Sequence, residues 1–207
     1  LYSLLLLLER ATYRTADLVI EVNESHARIA RTRGRVRPER IRVVRSGPDF
    51  ERLRLLPEEP ELRAGKKYLV CYLGEMCPQD GVDYLLRAIR HYRNALWRDD
   101  ARFVLMGGGP ALEELKSLKE KLQLDGAVEF TGRVSDHDLC RYLSTADLCV
   151  DPDPWSEWAD KSTMNKIMEY MAFGKPIVAF DLTEARVSAG RAARFVRPND
   201  EAEFAKA

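Results

Sequence analysis

The stretch DKSTMNKIMEYMAFGKPIVAFD, residues 160–181, holds a charged turn, an amphipathic run, a Gly-Lys-Pro stop and an apolar burst. Its spacing predicts a helix over 162–173 followed by a strand over 176–181. Ser162, Asn165, Lys166 and Glu169 then share one helix face by three- and four-residue spacing. Met164, Ile167, Met168 and Met171 fall on the other side and are expected to pack on a sheet. A helix that starts where a strand ends presents free N–H groups and the positive end of its dipole, which favours an anion such as phosphate. Lys161 and Lys166 would add positive charge beside the N–H groups of Ser162, Thr163 and Met164. Glu169, two turns further on, offers two acceptor oxygens, which suits a vicinal diol such as a ribose. The competing reading is a solvated helix face carrying one Lys–Glu pair.

Working outward, strands and helices alternate. Strands are predicted at 17–22, 41–45, 68–74, 102–107, 127–132, 147–152 and 193–198. Between them lie helices at 2–15, from Asn23 or Ser25 to about 33, at 83–96, at 110–122 with Pro110 in its first position, and from a Ser135 cap to about 144. A last helix starts near 200. Such alternation argues an α/β fold, a parallel sheet with helices on both faces and ligands at the carboxyl ends of the strands. The Pro-spaced, polar segment 57–67 reads as the core of a linker between two lobes.

The 207 residues are 45% hydrophobic and 32% charged, and their formal net charge is zero. That balance gives no sign of a nucleic-acid partner. Arginines are concentrated between Arg28 and Arg45. They read as a solvated face, with contact to an anionic membrane surface as the alternative. Cys71, Cys77, Cys140 and Cys149 form no C-x-x-C pair, and His137 with Cys140 lacks a second pair of metal ligands, so no metal site is expected. A reducing, cytosolic setting is expected, with peripheral contact at the inner face of the membrane as a further expectation. LYSLLLLL at the start is too short for a membrane span and lacks the pattern of a leader, so a buried helix is expected.

Other glycine turns carry weaker signals. GGGPAL (107–112) departs from a dinucleotide loop at Pro110 and Leu112 and reads as a turn into a helix. GEMCPQDG (74–81) lets backbone approach a ligand at Gly74, yet Glu75 and Asp80 would repel phosphate. TGRV (131–134) places Gly132 and Arg133 at another strand end. His26, His91 and His137 have no nucleophile motif near them.

The ordered series VVRSGPD, YLGEMCPQDGVDYLLRAI, GGGPALEELKSL, VEFTGRVSDHDLCRYLSTADLCVDPD and NKIMEYMAFGKPIVAFD resembles the nucleotide-sugar half of GT-B glycosyltransferases of family four. It is most similar to the bacterial branch that builds capsule, exopolysaccharide and O-antigen. The resemblance covers nearly the whole chain and implies two facing Rossmann-like lobes. Residues 1–47 would be the end of an acceptor lobe, 48–66 the inter-lobe linker, and 67–207 a donor lobe cut short at its C-terminus. Catalytic groups would lie in the missing part of the first lobe, and these residues alone are expected to transfer no sugar.

The resemblance also implies roles. Glu169 matches the second Glu of the family's Glu-x7-Glu motif and would bind the ribose hydroxyls. The first Glu is Lys161 here. The basic pair that holds the diphosphate in many members is replaced by Glu75 and Asp80. The diphosphate and sugar would then meet Lys161, Ser162, Thr163, Met164, Asn165 and Lys166, with Gly74, Arg133 and Val134 around the base. The implied function is retaining transfer from a UDP-type sugar to a lipid-linked or glycan acceptor in cell-surface polysaccharide synthesis, with no cofactor and no metal. The alternatives are a non-catalytic nucleotide-sugar-binding or scaffold subunit and a GT-B sugar-nucleotide epimerase. The bulky WSEW insert (155–158) has no assigned role.

Overall fold

Two parallel sheets organise the chain in the computed structural model, which describes residues 1–207. α1 (Tyr2–Thr15), β1 (Val19–Glu21), α2 (Glu24–Thr32) and β2 (Ile41–Val43) form a small unit in which Val19 pairs with Ile41. Its core is Val19, Ala27, Ala30, Val36 and Ile41, with Tyr13 packed against it. α1 forms where the sequence placed it but buries none of its residues. The expectation of a buried helix is therefore corrected: Leu4, Leu5, Leu7 and Leu8 are each more than 50% exposed. Two three-residue strands and one short helix offer too little apolar surface to cover it.

The larger unit runs β3 (Tyr68–Leu73), α3 (Val82–Asn94), β4 (Ala101–Met106), α4 (Leu112–Lys121), β5 (Val128–Gly132), α5 (Asp136–Thr145) and β6 (Leu148–Asp151). It continues through α6 (Asn165–Ala172), β7 (Ile177–Phe180), α7 (Thr183–Ala189), β8 (Ala193–Val196) and α8 (Glu201–Lys206). Its six strands are all parallel, in the order β5-β4-β3-β6-β7-β8. The chain winds outward from β3 in one direction, then returns to β3's other side with β6, which is the doubly wound arrangement with its reversal between β3 and β6. Helices cover both faces, so the inner strands β3 and β7 are continuous apolar runs, YLVCYL and IVAF. Leu69 and Cys71 face α5 and α6, while Val70 and Tyr72 face α3, the two-residue alternation of a strand.

Local chemistry sets the helix ends. Asn23 and Ser135 cap α2 and α5 as expected, accepting from the N–H groups of His26 and Asp138. α4, however, starts at Leu112, and Pro110 lies in the turn before it. The N–H of Ala111 is drawn to the carbonyl of Met76 at 3.0 Å, which holds this turn out of the helix. α6 begins at Asn165, not at Ser162, and α7 was not anticipated.

The segment 48–66 is strapped along α5. Leu53 is buried, the N–H of Leu56 bonds Ser144 Oγ at 2.9 Å, and that of Glu59 bonds Thr145 Oγ1 at 3.0 Å. No helix is long and apolar enough to cross a membrane. An apolar cavity of about 590 Å³ lies between α3 and α8 over the first residues of β3, β4 and β6. It is at the opposite end of the sheet from the strand carboxyl ends.

Candidate functional site

The reversal between β3 and β6 leaves a crevice beyond Leu73 and Asp151. α6 is pinned across it by the fully buried Tyr170. Its hydroxyl accepts from the N–H of Leu73 at 2.8 Å and donates to the carbonyl of Val150 at 3.2 Å. The buried side of α6 is Lys166, Ile167 and Tyr170, whereas Met171 is exposed. This corrects the expected apolar stripe and, with it, the place of Lys166.

Lys166 does not look along the crevice. Its ammonium is enclosed with the carboxylates of Asp151, at 3.2 Å, and Asp153, and it sits over the Tyr72 ring. Burial alone would push this lysine toward neutrality, but the two carboxylates outweigh it and hold its pKa above the usual lysine range. Burial pushes the Asp153 carboxyl up. One Asp153 oxygen, Oδ1, has no hydrogen-bond partner. The cluster ties the start of α6 to the end of β6, directly beneath Gly74. A Cβ on Gly74 would lie 2.7 Å from the Tyr72 hydroxyl and 3.2 Å from Lys166 Cε. Gly107, at φ +137°, lets the next strand end close on Gly74, since a Cβ there would lie 1.8 Å from the Gly74 carbonyl.

The loop into α6 is a short 3-10 turn, Ala159–Lys161, followed by extended residues. The N–H of Ser162 bonds the carbonyl of Ala159 at 3.0 Å, so Ser162 does not offer the free N–H expected of it. The N–H groups of Thr163 and Met164 donate to no group in the chain and stand open at the start of α6. Asn165 is exposed beside them. Lys161 is paired with Glu157 at 2.7 Å in an exposed, exchangeable contact.

Glu169 is half-buried on α6. Its Oε1 accepts from Arg52 at 2.9 Å, and Arg52 also reaches Asp136 at 3.2 Å. Burial raises the Glu169 carboxyl, Arg52 opposes that, and Asp136 adds to it. Around the rim, Glu75 is exposed and Asp80 accepts from the N–H of Cys77 at 2.8 Å, closing its own turn. Arg133 is exposed, and Val134 packs on the core under α5 and α6. No group of three His, Cys, Asp or Glu side chains gathers for a metal ion. Cys140 is buried, its thiol donating to the Arg52 carbonyl and accepting from the N–H of Arg54.

Sequence reading missed Arg52, Asp151 and Asp153, and it gave Asn23 a helix cap but not its bonds to Lys161 and Thr163. The paired acids of VDPDP at a strand end were the available sign of a buried cation, while Arg52 and Asn23 reach their partners only through the fold.

A doubly wound sheet with a Glu-bearing helix across its reversal is a Rossmann-like lobe of the GT-B kind. The chain belongs to the family described as Glycosyl transferases group 1, whose profile matches residues 67–207. A putative colanic acid biosynthesis glycosyltransferase, WcaL of Salmonella typhimurium, is 25% identical over 191 residues, covering 91% of this chain and 46% of that protein. A GDP-mannose-dependent alpha-(1-6)-phosphatidylinositol monomannoside mannosyltransferase of Mycobacterium tuberculosis is 33% identical over 90 residues, 44% of this chain and 23% of the relative. Among solved structures, Anabaena HepE in complex with UDP and glucose superposes with a TM-score of 0.76 at 22% identity, covering 94% of this chain and 53% of that one. A glycosyltransferase from Rickettsia africae superposes at 0.77 with 16% identity, covering 95% and 54%. These structural likenesses show the fold. The chain spans less than half the length of these curated relatives.

Proposed function

We propose that residues 67–207 are the donor-binding lobe of a retaining glycosyltransferase, with residues 1–47 the end of its acceptor lobe and 48–66 the link between them. The donor is a nucleotide sugar of the UDP type, and the acceptor a lipid-linked sugar or glycan of a cell-surface polysaccharide. The observation that carries this reading is Glu169, a half-buried carboxylate on the helix pinned across the strand reversal. In this reading it accepts from the ribose hydroxyls, and its Oε2 lies free of Arg52 to do so. The diphosphate lies against the open N–H groups of Thr163 and Met164 with Lys161 beside them, and the sugar near Asn165. Gly74, Arg133 and Val134 border the base. Lys166 takes a supporting role, because its charge is neutralised by Asp151 and Asp153. Helix N–H groups and a lysine stabilise a departing diphosphate without a metal. The UDP-bound HepE structure and the WcaL relative support the donor and polysaccharide parts of this reading. Peripheral contact with the inner face of an anionic membrane is a further part of the proposal.

The test is transfer of labelled sugar from UDP-donors by the full-length protein. Donor binding without transfer or hydrolysis favours the second reading, a non-catalytic nucleotide-sugar-binding subunit. The acidic Glu75 and Asp80 beside the crevice favour that second reading.

A further inference from the structure

Asn23 is fully buried and uses its side chain completely. Its Oδ1 accepts from the N–H of His26 at 2.8 Å, capping α2. Its Nδ2 donates to the carbonyl of Lys161 at 2.8 Å and to Thr163 Oγ1 at 2.9 Å. The amide orientation follows from its partners, since an N–H can only donate and a carbonyl can only accept. One residue of the small N-terminal unit thus grips the loop before α6 on both sides of Ser162. This is the loop whose Thr163 and Met164 N–H groups stand open. A second tie joins the same two units at the start of α7, where Thr183 also donates to Asp160 in the turn before that loop at 2.8 Å. Glu184 of α7, almost fully buried, accepts from the N–H of Ser25 at 3.2 Å and from Arg45 at 3.1 Å.

We propose that Asn23 is a positioning residue for the donor diphosphate: it sets the 161–164 loop from the opposing unit, so that the loop is shaped for an anion only while the N-terminal unit is docked. The inference rests on the donor reading above. Its physical basis is that Lys161 ends a 3-10 turn and Thr163 lies in the extended residues after it, which pair with no strand, and Asn23 supplies a bond on each side of Ser162. If the N-terminal unit swings away, the loop loses both bonds at once. The Glu184 tie makes no bond to residues 161–164 themselves and reaches their turn only through Thr183 and Asp160.

The test uses the 207-residue chain and calorimetric titration of UDP and uridine. Asn23→Asp keeps the cap oxygen but cannot donate to the Lys161 carbonyl. Thr163→Val removes the other acceptor while leaving its N–H in place. Arg45→Ala loosens the Glu184 tie and leaves both Asn23 bonds to Lys161 and Thr163 in place. We expect Asn23→Asp to weaken UDP about tenfold and Thr163→Val about threefold, with uridine unchanged. We expect Arg45→Ala to bind UDP as the wild type does. Thr163→Val decides the matter if Asn23→Asp does not fold. Equal loss of UDP and uridine, no loss in either loop variant, or the same loss in Arg45→Ala would make Asn23 a link between units and nothing more. A wild type that binds UDP no better than uridine would remove the diphosphate reading itself, and this inference with it.

Discussion

The guanidinium of Arg52 lies 2.9 Å from the carboxylate of Glu169, joining the 48–66 segment to the helix across the strand reversal. The same guanidinium reaches Asp136 at the start of α5. Arg52 therefore holds one oxygen of Glu169 and leaves the other open, and it opposes the upward push of burial on that carboxyl. In the proposed donor reading, a nucleoside arriving at Glu169 would meet an acceptor already oriented by the 48–66 segment.

This contact gives a pH dependence with a definite sign. Burial raises Glu169 and Arg52 opposes it, so Arg52→Ala lifts the Glu169 pKa further. Asp136, left as the charged neighbour, pushes in the same direction. UDP affinity measured from pH 8 down to pH 5 should fall in both proteins, and in Arg52→Ala the fall should begin at higher pH. Superimposable profiles would mean that Arg52 does not govern this carboxylate.

Stability follows the opposite sense. A carboxyl whose folded pKa lies above its ordinary value of 4.5 favours folding below that value and loses the contribution as pH rises through the folded pKa. Glu169→Gln should thus melt at the same temperature as the wild type or slightly higher at pH 7, and the gain should vanish below pH 4.5. A clearly lower melting temperature at pH 7 would assign Glu169 a structural role.

Lys166 behaves as a buried counter-ion. Lys166→Met leaves Asp151 and Asp153 facing each other without a cation, which costs about 3–5 kcal/mol. For a chain of this size that lowers the melting temperature by roughly 6–20 °C. Thermal unfolding followed by circular dichroism checks it, and an unchanged melting temperature would return Lys166 to the crevice surface.

The alternation of strands and helices other than α7, and the Asn23 and Ser135 caps, were legible, because each depends on neighbours within a few residues. What was hidden depends on distant partners. Lys166 reads as an exposed helix lysine until β6 brings Asp151 and Asp153 against it. Ser162 and Thr163 read as a helix start, but the Ala159–Lys161 turn takes one N–H and Asn23, from the other unit, takes the Thr163 hydroxyl. α7 was missed because its Glu184 looks solvated, while the fold buries it against Arg45 and the N–H of Ser25. The leucines of α1 misled in the other direction, since apolar composition says nothing about what is there to cover it.

Lys161 is the accessible cation next to the open N–H groups of α6, and its exposed pair with Glu157 is easily exchanged for a ligand. Lys161→Ala should weaken UDP about tenfold and leave uridine unchanged, since a hydrogen bond to a charged group is worth about 1.5–3 kcal/mol. Parallel titrations of the two ligands decide it. Equal responses would make Lys161 a surface charge and would favour the non-catalytic reading.

The central claim is that Glu169 grips the ribose of a nucleotide donor. Calorimetric titration of UDP into the wild type and Glu169→Gln at pH 8 tests it most directly. Loss of the charged acceptor should weaken UDP about ten- to a hundredfold, corresponding to about 1.5–3 kcal/mol. Equal affinity in the two proteins would contradict the claim and leave Glu169 as the partner of Arg52 alone.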